Sequence, residues 1–275
     1  MITYFLGALI GLTLGLTGAG GSVFAVPLLI YVMGVTPQEA IGISLAAVSL
    51  CALYGTIMRL RSGHILWLPG IVFASVGSLF SPLGNWLNQF IPPSILLPSF
   101  AVLMTWIAWR MWHQARQQPE LSQIVRGRRI RHEAAPSQPI CVLNDNQPFR
   151  IGPKCLSGII LAAIVTGLLS GLFGVGGGFI IVPALLALIR IKMIEAVATS
   201  LFVITLVSGF GFLGYVVQQP IQAVDLFIEI IVGGAVGMTI GIVFSQKLAG
   251  PKLQRTFSIL MWLTAAWIIT RSFVL

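Results

Sequence analysis

Charge is what this sequence has least of. Only 8% of its 275 residues are Asp, Glu, Lys or Arg, against about a quarter in a soluble domain of ordinary composition. That scarcity excludes a solvated globular protein with a charged surface. Acids are rarer than bases, with 7 Asp and Glu beside 16 Lys and Arg, and there are only 3 histidines and 3 cysteines. Cys51, Cys141 and Cys155 fit no metal-ligand or redox spacing, so neither a metal nor a cofactor is expected. H-E-x-x-H, G-x-S-x-G and a carboxylate pair deep in an apolar run are all missing, and an enzyme is not expected. The short alternating segments of an outer-membrane barrel do not occur. The opening MITYFLGALIG has neither the basic start nor the cleavage site of a signal peptide, so it reads as a retained span.

What fills the sequence instead is apolar. Hydrophobic residues make up 57%, and several runs exceed the roughly 20 residues that cross a bilayer core of about 30 Å. The expected fold class is an all-α polytopic membrane protein with about eight transmembrane elements. These read as Tyr4–Met33, Glu39–Met58, Ile65–Phe90, Ser94–Trp112, Leu156–Ile189, Glu195–Val217, Val224–Ser245 and Leu253–Thr270. The domains expected are residues 1–113, a first transmembrane repeat; 114–154, a polar, basic cytoplasmic linker; and 155–275, a second repeat.

The net charge of +9 lies between spans, which suits membrane orientation and not nucleic acid. If the linker is cytoplasmic and every element crosses, both termini are cytoplasmic too. Arg59, Arg61, the bases from Arg110 to Lys154 and Arg271 then fall inside, against Arg190, Lys192, Lys247, Lys252 and Arg255 outside. Taken alone, the second half prefers the reverse, which leaves an inverted arrangement open. The expected location is the cell (inner) membrane.

The halves repeat. Shifting Gly11–Leu45 by 156 positions onto Gly167–Leu201 matches 14 of 35 residues without a gap. The specific part is GLTGAGGSVFAVP (Gly15–Pro27) against GLFGVGGGFIIVP (Gly171–Pro183). Each cluster sits in the middle of an apolar run of about 30 residues, and each interior Gly costs a helix about 1 kcal/mol relative to Ala. An interrupted first helix in each repeat is the expectation. A helix that restarts there exposes free N–H groups and a positive dipole end, which is an anion site. Interrupted helices at matching positions of two repeats point to a transporter site at their interface.

The candidate substrate-binding residues are therefore Gly18, Gly20, Gly21, Ser22, Gly174, Gly176, Gly177 and Gly178. Ser44, Thr199 and Ser200 join them, because they lie about one turn into the next helix and carry hydroxyls. The competing explanation for each hydroxyl is a bond to the carbonyl four residues back. For the glycines it is close helix packing, which is the reading for Gly7, Gly11 and Gly15 and for Gly233, Gly237 and Gly241.

The doubled glycine motif, each copy followed by VP and then by EAIGISL or EAVATSL, resembles the TauE/SafE sulfite exporter family, also called the toluene sulfonate uptake permeases. The resemblance implies a multi-span carrier for sulfur-containing anions such as sulfite, sulfonates or thiosulfate, with export the expected direction. It also implies a Thr-Ser pair early in the second span of each repeat. Thr199-Ser200 keeps that pair, whereas the first copy reads Ile43-Ser44.

Glu39 and Glu195 match between the repeats and suit first-turn capping. Asp225 and Glu229 have no counterparts in the first repeat and stand as candidates for ion coupling. The expected mechanism is alternating access around a midplane site. An anion channel, or a non-transporting membrane subunit or sensor, are the rival readings. Expected partners are a small anionic sulfur compound and the lipid bilayer, with no nucleic acid; a homodimer is compatible.

Overall fold

A computed structural model describes residues 2–18, 21–60, 63–117, 153–189, 191, 193–218 and 224–245, with positions 258, 259, 261–263, 265, 266 and 270. Its elements are helices: α1 Ile2–Thr17, α2 Gly21–Met33, α3 Pro37–Leu60, α4 Trp67–Asn88, α5 Pro93–Gln117, α6 Pro153–Phe173, α7 Gly178–Leu188, α8 Met193–Gln218 and α9 Val224–Ser245. The last expected span is described at eight positions, all of them helical. The linker expected at 114–154 lies almost wholly outside the described residues.

Among the described residues four helical stretches are long and apolar enough to cross a membrane: Pro37–Leu60, Trp67–Asn88, Cys155–Phe173 and Ile194–Val217. Large apolar side chains such as Phe5, Leu79, Val102, Leu161 and Val217 point outward from the bundle, as lipid contact requires. At the start of α3, Thr36 Oγ1 donates to Glu39 Oε2 (2.8 Å) and the Glu39 N–H reaches Thr36 Oγ1 (3.4 Å). This is a capping box, so Glu39 has the capping role expected of it.

The expectation of one interrupted helix running onward at each glycine cluster needs correcting, because the chain turns back there. A Cβ on Gly21 would run into the Ile10 carbonyl and lie 2.7 Å from Leu14 N. In an uninterrupted helix, residues eleven apart are separated by about 16 Å. In the second half a Cβ on Gly177 would lie 3.1 Å from the Thr166 carbonyl oxygen, and one on Gly158 would lie 3.1 Å from Leu188 Cδ2. So α1–α2 and α6–α7 are helical hairpins. The cause is handedness more than helix propensity. Gly174, Gly176 and Gly177 adopt φ of +68°, +65° and +63°, and Gly18 adopts +70°. Left-handed residues cannot propagate a right-handed helix.

Close approaches between backbones give the helix directions. Gly7, Gly11 and Gly15 of α1 face Ile230, Gly234 and Met238 of α9, so these two helices are parallel. Gly167 and Gly171 of α6 face Gly77 and Ser81 of α4 in the same sense. Glycine contacts at Cys51–Gly234 and Gly55–Met238 align α3 with α9, and those at Gly77–Val207 and Pro82–Gly214 align α8 with α4. Between α3 and α8 the order reverses: Gly42 faces Tyr215, Ser49 Oγ donates to the Thr205 carbonyl (2.9 Å), and Gly55 faces Leu201. Thus α1, α3 and α9 run one way, and α4, α6 and α8 run the other.

These directions bear on a second expectation, that the N-terminus and the linker share a face. α5 begins where α6 ends, with Phe100 packed on Phe173 at 5.1 Å between ring centroids. It therefore runs in the direction of α1, and its last residue, Gln117, lies at the opposite end of the bundle from Ile2.

The small residues of the parallel pairs set a test. Gly11→Leu and Gly167→Leu would drive side chains into the backbones of Gly234 and Gly77, and each is expected to cost about 3 kcal/mol. Gly34 has φ +68° and nothing within 4 Å of an added Cβ, so Gly34→Ala is expected to cost only about 1 kcal/mol of left-handed strain. Thermal unfolding of the purified protein in detergent measures both. Equal losses would refute the packing role.

Candidate functional site

Turning a chain inside an apolar body leaves carbonyls with no helix to bond them and no water to replace it. Here two serines fill that need. Ser44 Oγ in α3 donates to the Gly174 carbonyl oxygen of the second turn (2.7 Å). Ser200 Oγ in α8 donates to the Gly18 carbonyl oxygen of the first turn (2.9 Å) and also lies 2.9 Å from the Val197 carbonyl. Both serines are fully buried. The residue pairs 44/200 and 18/174 each differ by 156, the offset of the sequence alignment. The packing follows the same exchange: a Cβ on Gly18 would lie 2.5 Å from Val197, and one on Gly174 would lie 2.7 Å from Ile41.

The remaining candidates divide by what surrounds them. Thr199 is fully buried, and its Oγ1 accepts the Leu66 N–H (3.0 Å). Gly21 opens α2 and packs on α1, while Gly178 opens α7 and is buried. Gly176 and Gly177 form the second turn, and Gly177 caps α7 without a side-chain hydrogen bond. Gly20, and the side chains of Ser22 and Asp225, lie outside the described residues. Glu229 is half-buried, and its Oε2 accepts the Thr3 hydroxyl, tying the start of α1 to α9. The two turns do not merge into one pocket. Along α8 the first turn touches Val197 and Ser200 and the second touches Ile204 and Ser208, an axial separation of about 10 Å.

Sequence reasoning missed a set of buried polar groups around the second turn. Most threonines of the helices spend their hydroxyl protons on carbonyls three or four residues back, as Thr56, Thr166, Thr205 and Thr239 do. Ser78, Ser81, Ser170 and Ser208 do not: their Oγ atoms are buried without a partner, as is Asn85 Nδ2. Three of the serines are fully buried. A Cβ on Gly176 would lie 2.6 Å from Ser208 Oγ, and one on Gly177 would lie 3.6 Å from Ser170 Oγ. No motif announces these residues, since single serines in apolar runs are common. The only signal in the sequence was their absence from the matching positions of the other half. Arg59 was equally hard to read: it is only 7% exposed, and its Nη2 lies 3.5 Å from the Gly15 carbonyl.

The second turn has an apolar cover. Val26, Ile30, Pro37, Ile41, Leu96, Phe100 and Phe173 line a small apolar crevice at the end where α6 finishes. Among the described residues no group of three or more His, Cys, Asp or Glu could hold a metal ion.

The family profile described as "Sulfite exporter TauE/SafE" matches residues 3–268. A "Probable membrane transporter protein" of Xylella fastidiosa (strain Temecula1) is 35% identical over 277 residues, spanning 99% of this chain and 95% of that protein. The "Probable membrane transporter protein YunE" of Bacillus subtilis (strain 168) is 27% identical, covering 81% of this chain and 80% of its own. No solved structure matches the chain.

The serine bonds yield a prediction about stability. Ser44→Ala and Ser200→Ala each strip a buried carbonyl of its donor, which costs about 1–3 kcal/mol. Both variants are expected to lower the unfolding temperature in detergent by similar amounts. Unchanged melting in either would show that the hydroxyl does not hold its turn.

Proposed function

The chain belongs to the sulfite exporter TauE/SafE family, and on that premise we propose that this membrane transporter is a carrier for small sulfur-containing anions such as sulfite, sulfonates or thiosulfate. The reading includes two repeats of five helices each, related by inversion, that alternate access around the glycine turns. The observation that carries it is the reciprocal bonding of Ser44 to Gly174 and Ser200 to Gly18. Each half holds the other's turn, as a pseudo-two-fold arrangement requires. Sites between inverted repeats, at the ends of discontinuous helices, are where secondary carriers bind.

Inversion also resolves the conflict of charges. When α1 and α6 run oppositely, Arg59, Arg61, the bases from Arg110 to Lys154, Arg190, Lys192, Lys247, Lys252 and Arg255 gather at one end, leaving Arg271 alone at the other. By the positive-inside rule that basic end is cytoplasmic. Both termini are then on the outer face of the inner membrane, opposite to the expectation from eight crossings.

Within this reading the candidate binding residues are Gly18, Gly20, Gly21 and Ser22 at the first turn and Gly174, Gly176, Gly177 and Gly178 at the second. Ser44, Thr199 and Ser200 support them. The hydroxyls of Ser44 and Ser200 act through the turns they brace, and the N–H groups opening α2 and α7 face the anion. No metal or cofactor is needed for such binding. A dianion leaving a negative-inside cell gains roughly 2.3 kcal/mol per charge per 100 mV, which favours export. Accumulation inward needs a coupled ion, for which Asp225 and Glu229 are the candidates.

Two measurements test the proposal. A cysteine introduced at Ile2, at the start of α1, should be labelled by an impermeant reagent from outside intact cells, while cysteines in the linker should not. Labelling of both from one side would refute inversion. In proteoliposomes the protein should show saturable uptake and counterflow of sulfite, thiosulfate or a sulfonate, and Gly176→Leu should abolish both. Channel-like, non-saturating flux would overturn the carrier reading. Glu229→Gln should abolish pH-driven accumulation and spare exchange.

A further inference from the structure

The two turns share a reciprocal serine bond but differ in what lines them. Around the second turn stand Ser170 of α6, Ser208 of α8 and Ser81 and Asn85 of α4. Ser208 and Ser170 approach the Cβ positions of Gly176 and Gly177 at 2.6 and 3.6 Å. Ser81 Oγ would lie 2.5 Å from a Cβ on Gly211, one turn beyond Ser208 on α8. Asn85 approaches Gly171 through its backbone nitrogen, and the next turn of α4 carries Asn88, whose Nδ2 donates to the Leu172 carbonyl (2.7 Å). Removing or adding 156 gives the matching residues of the first turn: Leu14, Ala52, Gly237 and Gly241. None of these has a polar side chain.

Three serine hydroxyls and an amide, all buried and all without protein partners, are unusual in a helical interior. Each unsatisfied group costs about 1–3 kcal/mol. Native proteins keep few of them, and a cluster calls for a ligand or ordered water. Hydroxyl and amide donors with no cation, set against the start of an eleven-residue helix that no side chain caps, match an oxyanion. Such donors stabilise negative charge without holding it as tightly as a guanidinium would.

We propose that the protein binds one oxyanion, at the second turn alone, with Ser81, Asn85, Ser170 and Ser208 as its side-chain donors; the first turn is a structural counterpart that binds none. The proposal deepens the carrier reading by narrowing its two candidate turns to one, and rests on it for the identity of the anion. The pseudo-symmetry is then one of framework, and a single occupied site moves between the two faces.

The test uses the full chain purified in detergent, with thermal stabilisation and equilibrium binding measured for sulfite, thiosulfate, sulfate, methanesulfonate, phosphate and nitrate. The wild type should be stabilised by at least one of them with a stoichiometry of one. Ser170→Ala and Ser208→Ala should each weaken that binding about tenfold, as loss of one hydrogen bond does, and the double variant should weaken it further. Without anion, the double variant should unfold at the same temperature as the wild type or higher, since it buries fewer unsatisfied groups. Ala52→Ser, at the mirror position, should leave affinity unchanged.

Binding by none of the six anions, a stoichiometry of two, or unaltered affinity in the double variant would overturn the proposal. So would lower anion-free stability with intact binding, the signature of hydroxyls that merely hold structural water. Binding of phosphate or nitrate alone, lost in the double variant, would support this site while refuting the sulfur-anion reading. The two failures are therefore distinguishable.

Discussion

The structure depends on the hydrogen bond that each half of the chain donates to a turn in the other. A chain that reverses direction away from water must find a donor for every exposed carbonyl, and lipid supplies none. The Gly174 carbonyl takes its donor from Ser44 and the Gly18 carbonyl from Ser200. Because donor and acceptor lie in different halves, neither hairpin is complete by itself. The same exchange pins α3 against α8, where Ser49 reaches the Thr205 carbonyl, and so places the paired central helices beside both turns.

Around that centre the packing is set by absence of side chains. Gly7, Gly11 and Gly15 let α1 lie directly on α9, and Gly167 and Gly171 let α6 lie on α4. With hydrophobic burial giving little driving force between helices in lipid, van der Waals contact between close backbones is the main cohesive term. Each hairpin is therefore held twice, by a helix pair packed along its length and by a hydroxyl at its tip.

The helical class and most element positions were legible from hydropathy, and Val224–Ser245 coincides with α9 to the residue. The glycine clusters were legible as breaks because propensity is local. Their consequence was not, since a kink and a reversal use the same residues and differ only in φ sign and in which distant backbone Gly21 or Gly177 meets. Counting each hairpin as one crossing puts both termini on the linker's side, whereas the inverted-repeat reading puts them opposite, a placement that the unequal charge of the second half also favours. Of the candidate site, Ser44 and Ser200 were legible through their matching positions. Ser81, Ser170 and Ser208 were not, because their interest lies in bonds they do not make, which only coordinates reveal.

The fold-back changes a parity. A unit of four crossings returns the chain to its starting side, and a copy joined behind it would repeat the same orientation. With a hairpin in place of a single interrupted helix, the first element enters and leaves on one side, three crossings follow, and the unit ends on the far side. A tandem copy must then insert upside down. On the inverted-repeat reading, gene duplication and membrane insertion alone supply two opposite-facing versions of one scaffold. The linker, which leaves from the end opposite Ile2, begins and finishes on a single side. On that reading its length is free of any need to span the bilayer, and by the positive-inside rule its bases would hold that side to the cytoplasm and so orient the whole chain.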